Sequence, residues 1–295
     1  MPDPASDPPR PAPRPGRAVA ALLAPAYGWL ALAVFLPLGA MLVFSLLDRA
    51  PFGGVPVALS FEHYRAFIDR PYLFDVAWTS IAMGLWTTGI CALIGLPAAL
   101  ALARATRGRS RAVLFLLIVL PFWTNGLVRV FSWTTVLNEG GVIDRLVQLV
   151  FPDAPTLSLL YSFPAIIIGL VHAYLPYMIL TCYLSVAAID DACIEAARSL
   201  GARAPAIFAT IVLPLSLPGL VAGAILIFVP VIGSFMEPRI LGGRVGVTMG
   251  TVIEDQFVQA FNWPLGAALS FTMLAVVLMI FALTGRLLAR QRAQA

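Results

Sequence analysis

Few side chains in this 295-residue sequence are suited to covalent or metal chemistry. All 19 basic residues are arginines, so the chain has no lysine for a phosphate-binding loop, a Schiff base or general-base catalysis. The three cysteines (Cys91, Cys182, Cys193) show no spacing typical of a disulfide or a metal site, and the two histidines are isolated. We therefore predict no catalytic residue, no metal site and no cofactor bound by this chain.

The chemistry that remains is that of charged and aromatic side chains in or beside apolar runs. Arg129 interrupts one such run, and a charge inside a membrane span usually faces protein or water. Aromatic rings attract ammonium groups by about 0.5–2 kcal/mol each, and the carboxylate of Glu237 is suited to a cation. The resulting candidate substrate pathway consists of Trp123, Asn125, Arg129, Tyr174, Tyr177, Phe235 and Glu237.

Each of these assignments has a plainer alternative. Arg129 is also compatible with a structural salt bridge, or with a side chain that extends to the outer membrane interface. The aromatic residues are also typical of helix packing and of the interfacial belt. Glu237 has a basic neighbour, Arg239, which disfavours a purely cationic ligand, and Glu254 and Asp255 are alternative acids. All three acids are equally compatible with a solvated loop.

The stretch from Asp190 to Leu220 has a different character. Glu195–Ala197 is typical of a helix, and Gly201 is suited to the left-handed conformation that ends one. A second short helix is expected to run to Ile211, and Pro214 and Pro218 then mark the entry into a further helix. The sequence therefore predicts a helix–glycine–helix hairpin at the membrane surface, whose small residues leave a shallow docking face for a partner.

The composition places these groups in a membrane. Hydrophobic residues make up 60% of the sequence and charged residues only 12%, whereas soluble chains have about 25% charged residues. Since a span needs about 20 apolar residues, we predict an all-α integral membrane protein with six transmembrane helices. The corresponding uncharged runs are Ala18–Leu47, Val76–Ala103, Ala112–Val128 (continuing past Arg129 to Leu137), Ala154–Ile189, Ala204–Met236 and Gln256–Gly285.

The distribution of arginine predicts how these spans are oriented, because arginine is enriched in cytoplasmic loops. With both termini inside, twelve arginines lie inside and seven lie outside or at helix ends, whereas five acids lie inside and ten outside. We therefore expect both termini to be cytoplasmic, with residues 1–17 forming a disordered, proline-rich tail. The outer segments Asp48–Asp75, Asn138–Asp153 and Glu237–Asp255 are each long enough for a short helix.

The stretch around residues 190–215 resembles the EAA loop of ABC-importer permeases. The shared pattern is Glu-Ala-Ala, three residues, Gly, nine residues and Ile-x-Leu-Pro. The residues in register are Glu195, Ala196, Ala197, Gly201, Ile211, Leu213 and Pro214. The resemblance implies that this cytoplasmic loop couples transport to ATP hydrolysis by sitting in a cleft of the ATP-binding subunit, with Glu195 facing that subunit and Gly201 allowing the bend.

The resemblance covers most of residues 70–290. Pro121–Val130, Pro164–Leu180 and Phe261–Ser270 are similar to the spermidine/putrescine branch of these permeases. It implies a type I importer permease fold over residues 18–295, in the cell inner membrane, with a polyamine as substrate. Opine, aminophosphonate or other small-amine transport stays open, because permeases for such substrates are related.

The same resemblance implies a set of partners. They are a second homologous permease subunit, two ATP-binding subunits that hold ATP and Mg, and a soluble substrate-binding protein. Membrane lipid surrounds the permease, and no nucleic acid partner is expected. Whether the permease pair is a heterodimer or a homodimer stays open.

Two other classes of function are considered. A membrane enzyme needs a nucleophile with a base, a metal cluster or intramembrane acids, and we find no such set. A secondary transporter commonly shows internal repeats, which this sequence does not show clearly, and the EAA pattern argues against it. A neighbouring ATPase gene, second permease gene and binding-protein gene would distinguish an importer from both.

Overall fold

The structure is a computed structural model, and it describes residues 17–50, 57–152 and 155–294. The described residues are almost entirely helical, with a single isolated bridge between Leu47 and Leu59, which confirms the predicted all-α class. Of the predicted N-terminal tail, only Arg17 lies within the described residues. The α-helices are α1 (Arg17–Ser45), α2 (Glu62–Asp69), α3 (Pro71–Leu100), α4 (Gly108–Val119), α5 (Gly126–Leu137), α6 (Val142–Val150), α7 (Phe163–Ala187), α8 (Asp191–Ser199), α9 (Ala204–Ile207), α10 (Leu213–Ile232), α11 (Met236–Gly242), α12 (Met249–Val258) and α13 (Trp263–Gln294).

Five helical stretches of the described chain are long and apolar enough to cross a membrane, and a sixth is a bent pair. The five are Leu22–Ser45, Pro71–Ala105, Phe163–Ala187, Ala204–Ile232 and Trp263–Ala282. The bent pair consists of Gly108–Trp123 and Gly126–Val150, which meet at 98°. Six spans therefore agree with the sequence if the bent pair counts as one.

The third predicted span is broken rather than straight. After α4 the chain forms a short 3₁₀ turn, Leu120–Trp123, and α5 then leaves in a new direction. Pro121 lies at the start of that turn and has no N–H to donate to the preceding turn of helix. Asn125 then starts a new helix, because its side-chain oxygen accepts a hydrogen bond from the backbone N–H of Leu127 at 2.8 Å. Arg129 consequently lies in the first turns of α5.

The centre of the bundle is formed by α3, α7 and α10, which pack against one another. Met83, Leu170, Met178 and Ile227 are among the fully buried side chains of this core. Glycines let the helices approach closely: a Cβ added to Gly223 of α10 would lie 2.5 Å from Thr181 Oγ1 of α7. Helix packing in membranes depends on such small residues because lipid supplies no hydrophobic driving force between helices.

A second apolar cluster joins α3, α10, α12 and α13 around Leu73, Ile232, Met249 and Leu269. The N-terminus of α12 is fastened there, since Ser80 of α3 accepts a hydrogen bond from the backbone N–H of Met249 at 2.8 Å. Ser80 is fully buried. The outermost span, α1, packs on α13 and is exposed over most of its described length.

Each predicted outer segment does contain a short helix, namely α2, α6, and the pair α11 and α12. The boundary before α11 differs from the prediction, which had Glu237 close the fifth span. The fifth span ends earlier, at Ile232, and Glu237 lies in the first turn of α11. Pro238 lies in the same turn, where proline is tolerated because its missing N–H would have no partner.

Candidate functional site: substrate pathway and coupling loop

The predicted hairpin is present, and we call α8, the Gly201 turn and α9 the coupling hairpin. The side chain of Asp190 begins α8 by accepting a hydrogen bond from the N–H of Ala192 at 2.9 Å. At the other end Gly201 has a φ of +81°. Its N–H donates to the carbonyl of Arg198 at 2.9 Å, and the N–H of Ala202 donates to that of Ala197 at 3.0 Å. These two bonds form a Schellman motif, which satisfies the last carbonyls of α8.

The second half of the hairpin differs from the sequence-based expectation in one respect. The chain does not leave the helix at Pro214: α9 passes through a π-helical turn, Phe208–Val212, directly into α10. Pro214 lies in the first two positions of α10, after that wider turn. The second helix of the hairpin, α9, is therefore continuous with the fifth span, in one helical stretch from Ala204 to Ile232.

The predicted coupling residues divide between two faces of the hairpin. Glu195, Ala196, Gly201 and Pro214 are exposed. Ala197, Ile211 and Leu213 are half-buried; the first two pack with a small apolar cluster centred on Ile189, Ile207 and Val212, while Leu213 packs against the main core. Sequence reasoning missed Leu200, whose side chain is 89% exposed beside the Gly201 turn. Its position directly before the turn glycine could have indicated this exposure, because a leucine at a hairpin tip has nothing of its own chain to cover it.

Four of the predicted pathway residues meet at one cavity of about 320 Å³ at the end of the bundle where α10 is followed by α11. They come from three elements: α5, α7, and the α10–α11 junction. The lining residues are Gly126, Arg129, Tyr174, Pro230, Gly233, Ser234, Phe235, Met236 and Glu237. A carboxylate, a guanidinium and two aromatic rings therefore share one small space.

Glu237 is the buried acid of this cavity, with a side chain that is only 8% exposed. Its Oε2 accepts a hydrogen bond from the hydroxyl of Ser234 at 2.5 Å, a contact that sequence reasoning did not anticipate. No salt bridge to Glu237 occurs among the described residues. A carboxylate held in a concave, largely buried place without a cationic partner is suited to a cationic ligand.

Arg239 does not neutralise Glu237, although it is only two positions away. Its Nη2 donates to the carboxylate of Glu254, and also to Asp255 Oδ1 at 2.6 Å. Residues two apart on a helix do not face each other, so Arg239 reaches across to α12 instead. Glu254 and Asp255, the two alternative acids, are thus paired with Arg239. Arg239 therefore does not disfavour a cationic ligand at Glu237.

Arg129 is the second charge of the cavity. Its Nε is buried and has no hydrogen-bond partner among the described residues. Arg129 also borders a second cavity of about 400 Å³, together with Trp133 and His172, whose rings are 5.4 Å apart. The structural salt bridge considered for Arg129 is not found in the described part of the chain.

The remaining three predicted pathway residues lie outside this cavity. Trp123 is 87% exposed at the break between α4 and α5. The side chain of Asn125 serves as the N-cap of α5. Tyr177 packs edge-on against Phe122, with ring centroids 4.5 Å apart, and its centroid is 6.0 Å from that of Tyr174. Trp123 and Tyr177 therefore form an aromatic rim beside the break, and neither they nor Asn125 line the acid-bearing cavity.

Residues 92–293 match the family described as binding-protein-dependent transport system inner membrane component, and the chain belongs to this family. It is therefore a multi-pass component of the inner membrane. The family is one of transport components, so the predicted transport function, rather than an enzyme, is confirmed.

Particular relatives narrow the resemblance. The spermidine/putrescine transport system permease protein PotB of Salmonella typhimurium is 36% identical over 268 residues, which is 90% of this chain and 92% of the relative. PotB of Escherichia coli K12 is 35% identical over 268 residues, covering 90% and 96%. PotB of Haemophilus influenzae is 34% identical over 269 residues, covering 90% and 93%. The predicted membership of the ABC-importer permeases is confirmed.

Solved structures show the same fold. A bacterial ABC transporter that imports the acidic polysaccharide alginate matches with a TM-score of 0.71 and 17% identity, over 93% of this chain and 95% of the matched chain. The MetNI methionine ABC transporter matches with a TM-score of 0.54 and 17% identity, over 74% of this chain and 95% of the other. At such identities the likeness concerns the fold alone, and it confirms the predicted importer-permease architecture.

Proposed function

We propose that this permease translocates a polyamine such as putrescine or spermidine across the inner membrane. The observation that carries the proposal is the buried carboxylate of Glu237, which has aromatic neighbours and no arginine partner among the described residues. An ammonium group placed there gains a charge-assisted contact in a site with little water, where such contacts are strongest. The relatives named for spermidine and putrescine transport support the same substrate class.

The energy and the selectivity come from partner chains. A soluble binding protein delivers the substrate to the outer face, and two ATP-binding subunits hold ATP and Mg on the cytoplasmic face. A second homologous permease subunit completes the pathway. Exposed aromatic side chains support that pairing, since Trp123 at the break and Phe235 in the cavity wall are 87% and 43% exposed.

The coupling hairpin is the element that meets an ATP-binding subunit. Glu195 and Ala196 lie on its exposed face, and the exposed Leu200 at the tip supplies an apolar anchor. Burying such a leucine side chain against a partner contributes about 1.5–3 kcal/mol. In this arrangement the hairpin receives force from the ATPase without contacting substrate.

Both termini are cytoplasmic in this proposal, because the arginine distribution places the hairpin and the α3–α4 loop on the same side. Residues 1–17 then form a cytoplasmic tail, and residues 18–295 the permease domain. Reporter fusions after Arg203 and Gly246 test the orientation: the first should be cytoplasmic and the second external. An inverted result at either position contradicts it.

The substrate is tested by uptake of labelled putrescine and spermidine into proteoliposomes that contain the assembled importer. Glu237→Gln preserves the shape of the side chain and removes its charge. We expect uptake to fall about 10- to 100-fold, because a hydrogen bond to a charged group contributes about 1.5–3 kcal/mol. Ser234→Ala, which keeps the charge, should cost less, and Glu62→Gln removes an exposed acid of α2 and should have no effect.

Unchanged polyamine uptake in Glu237→Gln would exclude this carboxylate as the ligand-binding group. A zwitterionic amine, such as an opine or an aminophosphonate, is the second candidate, because Arg129 lies in the same cavity as Glu237. The cognate binding protein distinguishes the two. If it binds such a zwitterion and no polyamine, the polyamine assignment is wrong while the permease function stands.

A further inference from the structure

We propose that Arg104 is a positioning residue that fastens the coupling hairpin to the transmembrane bundle. Arg104 lies in a π-helical turn, Ala101–Ala105, at the cytoplasmic end of α3. Its Nη2 donates to the carbonyl of Ile189 at 2.7 Å and to that of Val186 at 3.3 Å. Its Nη1 donates to the carboxylate of Asp191 in the first turn of α8. One guanidinium thus connects the ends of three helices.

Each acceptor of Arg104 lies at a helix end whose dipole favours the charge placed there. The carbonyl of Val186 lies in the last turn of α7 and that of Ile189 just beyond it, where helix carbonyls lack partners and a cation is favoured by the helix dipole. Asp191 lies at the N-terminus of α8, where an anion is favoured for the same reason. The planar guanidinium satisfies two carbonyls and one carboxylate at once, which a lysine ammonium cannot match in geometry.

Arg104 lies where the α-helical backbone of α3 gives way to a π-helical turn. A π-helical turn is wider than an α-helical one and is found frequently at functional sites. A second π-helical turn, Phe208–Val212, lies where the other end of the hairpin enters α10. Two π-helical turns therefore flank the coupling hairpin. Ala101–Ala105 contacts it through Arg104, and Phe208–Val212 joins its α9 to α10.

The apolar support of the hairpin is small. Its buried cluster has three members, Ile189, Ile207 and Val212, which pack against side chains such as Leu100 of α3. The face toward solvent, including Glu195 and Leu200, has no cover from the described chain. With so small a core beneath it, the angle of α8 relative to α3 and α7 depends on the polar connection through Arg104.

The other arginines of the same loop do not make this connection. Arg111 donates to the carbonyls of Ala103 and Thr106, which are in its own loop. Arg107 and Arg109 are exposed, and the described residues show no side-chain hydrogen bond for either. Arg109 therefore offers a matched control, since it has the same charge in the same loop without the contact.

This inference rests on the proposed coupling role of the hairpin. The test uses the assembled importer in proteoliposomes, with Arg104→Met, Arg104→Lys and Asp191→Asn compared with Arg109→Met. Two quantities are measured: the ATP hydrolysed per substrate molecule imported, and the mobility of a spin label on Cys193 of α8. Cys193 is exposed whereas Cys91 and Cys182 are buried, so the label reports on the hairpin if the partner chains carry no accessible cysteine.

We expect Arg104→Met to increase both the label mobility and the ATP consumed per substrate, the latter by about tenfold, as the loss of charge-assisted hydrogen bonds implies. Arg104→Lys and Asp191→Asn should give intermediate values, and Arg109→Met should match the wild type. If Arg104→Met does not assemble, Arg104→Lys and Asp191→Asn together carry the test. Wild-type mobility and stoichiometry in Arg104→Met, or in both of the other two variants, would overturn the proposal.

Failure of the coupling role itself has a different signature. If Glu195→Ala and Gly201→Val both leave uptake and ATP hydrolysis at wild-type values, the hairpin does not couple. If those variants impair transport while the Arg104 and Asp191 variants do not, the hairpin couples but Arg104 does not position it.

Discussion

The left-handed conformation of Gly201 gives a prediction whose size follows from the structure. Its φ is +81°, and a Cβ added there would have no atom within 4 Å. Gly201→Ala therefore introduces backbone strain without a steric clash. The left-handed conformation costs a residue with a Cβ about 1–2 kcal/mol. A substituted turn that relaxes when undocked must return to this conformation to dock, so we expect the affinity of the permease pair for its ATP-binding subunits to fall about 5- to 30-fold.

A substitution series separates conformation from packing. Gly201→Asn should have a smaller effect than Gly201→Ala, since asparagine is tolerated in this conformation, and Gly201→Val should have the largest. The affinity is measured by titrating the ATP-binding subunits onto nanodiscs that contain the permease pair, followed by ATP-driven uptake. Gly89→Ala in α3 is the control, because its added Cβ also has no atom within 4 Å and its φ is not positive.

Equal affinities for the Asn, Ala and Val variants would refute this reasoning, because they would show that the docked hairpin does not need a left-handed residue at this position. A large effect of Gly89→Ala would also count against it, by showing that any added methyl group disturbs the assembly.

Three further predictions concern other parts of the fold. Asp144→Ala should lower the free energy of unfolding by about 3 kcal/mol, seen as a lower Tm, because this buried carboxylate accepts hydrogen bonds from two backbone N–H groups at 2.9 and 2.8 Å. Ser80→Ala leaves a buried N–H of α12 without its acceptor, so hydrogen exchange at that amide should become faster while the same change at exposed Ser110 should not affect it. Arg129→Met should lower the apparent KM for a polyamine by removing a like charge from the cavity; a rise would instead favour a zwitterionic substrate.

The local features of the coupling loop were predictable because each depends on a short stretch of sequence. Gly201 adopts the conformation that its position after a helix indicated, and α8 contains the Glu-Ala-Ala residues. The spans were predictable from length and apolarity, which are properties of the chain alone. Neither feature requires knowledge of which helices become neighbours.

The features that could not be predicted depend on distant contacts or on the backbone. The pairing of Arg239 with two acids of α12 involves residues 15 and 16 positions apart, so the sequence suggested only an arginine next to Glu237. Pro121 indicated a kink in the third span, but the 98° bend depends on the separate start of α5 at Asn125, which hydropathy does not record. The π-helical turn that carries Arg104 has no known residue pattern in the sequence, and its partners lie more than 80 positions away.

The contacts of Arg239 have a consequence for the kinetics of opening. They join α11, which carries Glu237, to α12, and Ser80 in turn ties the start of α12 to α3. Movement of Glu237 away from the cavity is therefore coupled to movement of α12. We expect α11, α12 and the N-terminal half of α3 to move together, so that this end of the permease opens in a single cooperative step, with one relaxation rate whichever of these helices carries the probe.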